Sequence, residues 1–218
     1  MDATTRWTLR VAATVLAGAA LSGTALSGTA LAGPGAGPGP AVGAPARAAA
    51  PAPTSPACGT GDRAFAPRQM TIRGVVGATR VLALGRDRGG VPRTPPLTDR
   101  GKWQVGWDRQ VAAGAPRGVM RLTAHTYPRD GSHGLALGNR LLSTLSRGDR
   151  LVVAGGGGDR LCYRVTRRLD VRAERTAPAY YASTGRHRLA ILVCSGTRRG
   201  PGDWSHRTIW FAEPVQRS

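Results

Sequence analysis

The sequence predicts a mainly β domain, closed or nearly closed into a barrel, behind a long N-terminal segment of different composition. Three observations carry this. From residue 69 onward the chain divides into short runs rich in Val, Ile, Leu and Trp, each of strand length. Turn residues separate the runs, among them Gly89 with Gly90, Pro95 with Pro96, and the glycine run 155–158. One stretch alone has helical periodicity and it is short, so the long alternating helices of a doubly wound fold are missing.

The first 32 residues read as a signal peptide or a membrane anchor. Arg6 and Arg10 form a positive start, no charge follows from Val11 to Gly33, and Ala30-Leu31-Ala32 offers small residues to a signal peptidase. The run is long enough to span a bilayer if retained, and its Gly, Ser, Thr and Ala content dilutes it. Either outcome exports the remainder. Residues 33–57 are mostly Gly, Pro and Ala, a composition that buries too little side chain to offset its ordering entropy; a disordered linker is expected. Residues 58–218 then form one domain, long enough for a proper core.

Within that domain, 69–76 and 79–84 read as two strands joined at Gly77, and 85–100 as a turn-rich surface loop. Residues 103–107 and 118–123 are further strands, the second running into Ala124-His125-Thr126. Leu137, Leu141, Leu142 and Leu145 fall at helical spacing. Residues 149–154 and 160–171 are expected to form a hairpin around the glycine run, and 173–188 is irregular. The last pair is 189–193 and 208–211, with a polar Gly, Pro and Arg-rich loop between them.

The formal net charge is +19, and Lys102 is the single lysine, so arginine supplies nearly all of the surplus. Such a balance favours anionic partners. No nucleic-acid motif or aromatic-rich basic patch accompanies it, which leaves envelope polyanions as the better fit. No acidic cluster suits calcium and no Cys/His spacing suits zinc, so neither metal nor cofactor is expected.

Three cysteines are an odd number for an exported chain. Pairing Cys58, at the domain edge, with Cys162, inside a strand, would tether the N-terminal edge and leave Cys194 free. Cys194 ends one strand and is followed by the small Ser195 and Gly196; Arg207 opens the next strand. If these strands are neighbours, a thiol and a guanidinium lie side by side. A thiol nucleophile needs a proton partner. Of His125, His133, His187 and His206, the first ends a central strand, whereas His206 is turned away if Arg207 faces Cys194. His125 is therefore the candidate acid or base. Arg207 offers a planar fork of donors suited to a developing oxyanion.

A His ending a strand (Ala124-His125-Thr126), a Cys ending a later one (Ile191-Leu192-Val193-Cys194-Ser195-Gly196) and an Arg opening the last (His206-Arg207-Thr208-Ile209) together resemble a sortase. The stretches Gly74-Val75-Val76-Gly77-Ala78, Pro95-Pro96-Leu97 and Val105-Gly106-Trp107 are similar to the short actinobacterial class F sortases. The resemblance implies an eight-stranded barrel and a cysteine transpeptidase that cleaves an LPxTG-like sorting signal. It further implies a thioacyl link on the Cys and transfer to an amine of the cell wall or of another protein. Carried over, Cys194 is the nucleophile, His125 the acid and then base, and Arg207 the clamp on substrate and oxyanion. Residues 173–188 correspond to a pocket-shaping loop, which makes Tyr180 and Tyr181 candidate substrate contacts. Val193 stands where the family usually has Thr, a further candidate contact, and 127–133 departs from the family's small polar continuation.

Three alternatives compete. An L,D-transpeptidase places its Cys in a Ser-His-Gly-Cys run, whereas Leu135 follows Ser132-His133-Gly134 here. A papain-like peptidase would place Cys before His and add a helical domain. A passive basic barrel would bind envelope polyanions and keep Cys194 as an inert core thiol.

Overall fold

A computed structural model describes residues 58–59 and 63–215. The expected signal or anchor and nearly all of the expected linker lie outside these residues. Eight strands close into a mixed barrel. In chain order they are β1 (Gln69–Ile72), β2 (Val76–Ala83), β3 (Val105–Trp107), β4 (Val119–Ala124), β5 (Arg150–Ala154), β6 (Arg160–Arg172), β7 (Arg188–Gly200) and β8 (Asp203–Pro214). Two short helices, α1 (Leu137–Thr144) and α2 (Pro178–Tyr181), and one 3-10 turn complete the chain. Around the barrel the order is β1-β2-β3-β4-β7-β8-β6-β5, with β1 and β5 closing the ring. The all-β reading from turn-separated strands therefore holds.

Two of the ladders are parallel, β2 with β3 and β4 with β7. The β4–β7 ladder matters most, because it brings the end of β4 beside the middle of β7, a strand distant in sequence. Strand alternation fills the interior with Leu189, Ile191 and Val193 of β7 and with Met120, Leu122 and Ala124 of β4. The opposite faces of β4, β7 and β8 are covered as well. Val119, Ala190, Ile209 and Phe211 pack outside the barrel against Ala177 and Tyr180, carried by the α2 segment. Burial on both faces explains why β7 reads as a continuous apolar run rather than an alternating one.

Several boundaries differ from expectation. The first turn is centred on Gly74, at φ 76°, and not on Gly77, because only a residue without Cβ takes that backbone region cheaply. Residues 101–103 form the 3-10 turn and leave a short β3. Most of the expected 194–207 loop is strand: pairing continues from Cys194↔Arg207 through Arg198↔Trp204 to Gly200↔Asp203, with shifts in register. Backbone hydrogen bonding across this hairpin prevails over its polar composition, and Pro201 and Gly202 alone make the turn. The stretch read as irregular contains α2, which Pro178 opens from the first helical position.

Candidate active site

The ladders assemble three of the residues picked out in the sequence. In the parallel β4–β7 pair, Ala124 lies opposite Val193, so His125 leaves β4 beside Cys194. In the antiparallel β7–β8 pair, Cys194 lies directly opposite Arg207. The order across three adjacent strands is thus His125, Cys194, Arg207, at one end of the barrel.

His125 is held from two sides. Its Nε2–H donates to the Pro95 carbonyl at 2.6 Å, which puts the proton of the neutral ring on Nε2. Its own carbonyl accepts from the Gly138 N–H at 2.7 Å, docking the start of α1 on the strand end. A Cβ at Gly138 would collide with that carbonyl, so the close approach requires glycine there. The loop after His125 is fixed to the same helix. Asn139 Oδ1 accepts from the N–H groups of Tyr127 and Ala136, and Nδ2 donates to the Tyr127 carbonyl.

Cys194 is half-buried and is the free cysteine among the described residues. Burial pushes its thiol above the ordinary value, and the Arg207 charge pulls the other way without cancelling it. Arg207 folds back on its own hairpin. Nη1 donates to the carbonyls of Trp204 at 3.2 Å and His206 at 3.0 Å. Its remaining donors form no hydrogen bond among the described residues.

His125 and Cys194 open into a cleft of about 1060 Å³ whose walls include Leu97, Tyr127, His133, Arg198 and Trp204. A second cavity of about 460 Å³ lies against the next residues, Thr126 and Ser195, and also meets Arg129 and Arg168. Thr126, Tyr127, Asp130, Arg198 and Trp204 border both spaces.

The other candidates are placed elsewhere. Val193 is fully buried in the barrel interior, because alternation turns it away from the side on which Cys194 emerges. Tyr180 is fully buried outside β4; its hydroxyl lies 3.4 Å from the Leu122 carbonyl, and its own carbonyl faces Arg121. Tyr181 is exposed beneath Arg86 and does not line the cleft. Among the other histidines, His187 meets Tyr163 Oη at 2.9 Å and His206 meets Ser205 Oγ at 2.8 Å. Cys58 and Cys162 are disulfide-bonded. Leu97, Tyr127, His133 and Trp204 were not picked out as cleft residues. The unusual 127–133 continuation was a signal for Tyr127 and His133; Leu97 and Trp204 lie outside it.

No protein-family model matches the sequence, and no curated protein matches it. Solved structures do match. Sortase C1 of Streptococcus agalactiae in complex with MTSET is 17% identical, over 69% of this chain and 69% of that one, with a TM-score of 0.50. Sortase C-1 of Actinomyces oris is 22% identical, over 68% and 73%, with a TM-score of 0.49. Sortase C1 of Streptococcus suis is 14% identical, over 70% and 74%, with a TM-score of 0.48. At these identities the likeness is one of fold. The barrel is sortase-like, and the relatives being of class C, it gives the class F affinity no support.

Proposed function

We propose that this chain is a sortase-type cysteine transpeptidase, with Cys194 as nucleophile, His125 as proton carrier and Arg207 as clamp. The observation that carries the reading is the side-by-side placement of His125, Cys194 and Arg207 across three adjacent strands of a sortase-like barrel. Beside this stands the cleft that His125 and Cys194 share.

The chemistry follows from the groups present. A buried neutral thiol must lose its proton as it attacks, and His125 takes that proton. Sulfur adds to the carbonyl carbon of the sorting-signal threonine, and the oxygen becomes an oxyanion for which Arg207, across the ladder from Cys194, is the donor. The C–N bond to glycine breaks, and His125 returns the proton to the departing amine, leaving a thioester on Cys194. An incoming amine then loses a proton to His125 and attacks that carbonyl. The C–S bond breaks, the thiolate recovers the proton, and a new amide leaves. The second cavity, bordering the cleft along Tyr127 and Trp204, gives the amine an approach distinct from that of the sorting signal.

The substrate is an LPxTG-like sorting signal, and the acceptor an amine of the cell wall or of another protein. The enzyme acts outside the cell membrane, held there by its N-terminal segment or released from it. The test is the full chain with a quenched LPxTG-type peptide and triglycine, against Cys194→Ala. A triglycine-dependent product absent from Cys194→Ala is expected. No product with LPxTG and LAxTG peptides, together with a Cys194 that no electrophilic peptide labels, would overturn the reading in favour of a passive barrel.

A further inference from the structure

The second cavity presents both signs of charge to whatever enters it. Arg129, Arg168 and Arg198 border this space of about 460 Å³, with Asp130 as its one carboxylate. Arg129, Arg198 and Asp130 form no ion pair among the described residues. Arg168 is held in place, over the Trp210 ring at 5.5 Å and beside Asp170 at 3.3 Å. Thr126 and Ser195 border the same space. Each is more than nine-tenths buried, and neither hydroxyl has a hydrogen-bond partner. A buried hydroxyl left unpaired is costly, and the oxygens of an anion are acceptors to which both can donate. Guanidinium forks match the planar carboxylate in particular. The volume is that of a small-molecule site.

Position decides what the carboxylate is attached to. Ser195 directly follows Cys194, and Arg198 and Asp130 border both this cavity and the cleft onto which Cys194 opens. A ligand seated on the arginines therefore reaches the cleft in which the thioester forms. Asp130, common to both spaces, suits the ammonium at the ligand's other end. We infer that the second cavity binds a free carboxylate of the amine acceptor. The acceptor is then an amino acid or short peptide whose carboxylate lies close to its attacking amine, and not a lysine side chain of a folded protein. The inference rests on the transpeptidase reading and chooses between the acceptors that reading allows.

The test uses the full chain, a quenched LPxTG-type peptide and matched acceptors: glycine, diglycine and triglycine, each against its C-terminal amide. For at least one length the acid is expected to exceed the amide by about tenfold in kcat/KM for the acceptor, mostly through KM. Arg129→Gln with Arg168→Gln should abolish that preference by raising KM for the acid and not for the amide. Comparing the acid-to-amide ratio between variants cancels any difference in amine basicity. A loss that falls on acid and amide alike would mark a merely structural role and overturn the inference. If the double variant fails to fold, Arg129→Gln alone, at an exposed position, should cut the ratio about threefold. Equal use of acids and amides, or of Nα-acetyl-lysine amide as readily as the acids, would overturn the inference and leave the transpeptidase reading intact. Preference for 2-aminoethyl phosphate over every acid would overturn carboxylate as the anion. A Cys194 that forms no thioester, with no product from any acceptor, would overturn the transpeptidase reading and this inference with it.

Discussion

Cys194 stands between two opposed influences, and their balance can be measured. Desolvation raises its pKa, the guanidinium opposite lowers it, and desolvation is the larger. At neutral pH the side chain is therefore the protonated thiol at rest. Alkylation by iodoacetamide should climb through pH 9 without levelling, since thiolate forms only above the ordinary range. Arg207→Gln removes the lowering influence and should slow alkylation severalfold at each pH below the plateau, whereas Arg207→Lys keeps the charge and most of that rate. Transfer should separate the two properties of Arg207, because Lys cannot present the planar fork and most of the turnover should be lost. Faster alkylation in Arg207→Gln, or normal transfer in Arg207→Lys, would remove the guanidinium from the mechanism. At this scale the sequence was informative wherever chemistry followed strand position. His125 follows the end of β4, and Cys194 and Arg207 stand where the apolar runs of β7 and β8 give way to polar residues, a boundary that can be read locally although both strands continue past it. Val193 lies one residue before the thiol, so the same alternation that separates His206 from Arg207 turns it into the barrel interior. The fold-back of Arg207 onto Trp204 could not be read, since it depends on a hairpin whose composition looks like loop.

Two polar contacts fix the elements around the cleft, and each predicts a stability change. Asp108 has no exposed side chain and accepts from Arg121 at 2.5 Å and from Arg86 at 2.9 Å. Arg121 also reaches the Tyr180 carbonyl, so one buried carboxylate connects β4, the β2–β3 segment and α2. Asp108→Ala leaves Arg121 charged and buried without a partner, and should cost about 3–5 kcal/mol in chemical denaturation. Asp108→Leu with Arg121→Met should recover most of that loss; a double variant as unstable as the single one would contradict the account. His187 fixes the start of β7. Its Nε2 faces Tyr163 Oη and the Gly114 N–H at 3.3 Å, its Nδ1 is buried without a partner, and burial lowers its pKa below the usual 6.5. The sign follows: the unfolded chain binds the proton more readily, so this stability is present above pH 6.5 and is lost as pH falls through the lower folded value. The unfolding temperature should drop between pH 7 and 5, and His187→Gln, which keeps an acceptor, should shrink that drop. Most strands were legible because their apolar runs are short and bounded by turn residues. The parallel β4–β7 ladder and α2 were not, since partner choice and a four-residue helix follow from tertiary burial of Tyr180 rather than from periodicity.

For the whole molecule, closure of the barrel and the Cys58–Cys162 bond determine how the domain holds together. The ring closes through β1 and β5, and Cys162 lies opposite Val152 of β5, so the disulfide pins the segment before β1 beside the closing strands. The bonded cysteines are 104 residues apart, and a loop of that length removes much freedom from the unfolded chain. Cys58→Ala with Cys162→Ala should therefore cost about 2–5 kcal/mol in denaturant unfolding. Because the bond lies at the end of the barrel away from Cys194, the loss should appear as global unfolding at lower denaturant, with Cys194 alkylation unaltered while the domain is folded. Reduction of the natural chain should lower its midpoint by the same amount. Equal midpoints with and without the bond would show that closure of the strands alone secures the N-terminal edge. A Cys194 that becomes freely reactive before unfolding would show instead that the disulfide supports the cleft from the far end. The pairing itself was open to sequence reasoning because an odd cysteine count, an edge position for Cys58 and a thiol at the end of an apolar run leave few arrangements. The distribution of charge was not, because the surplus can be counted from the chain while which arginines face each other, such as Arg150 and Arg164, depends on which strands are neighbours.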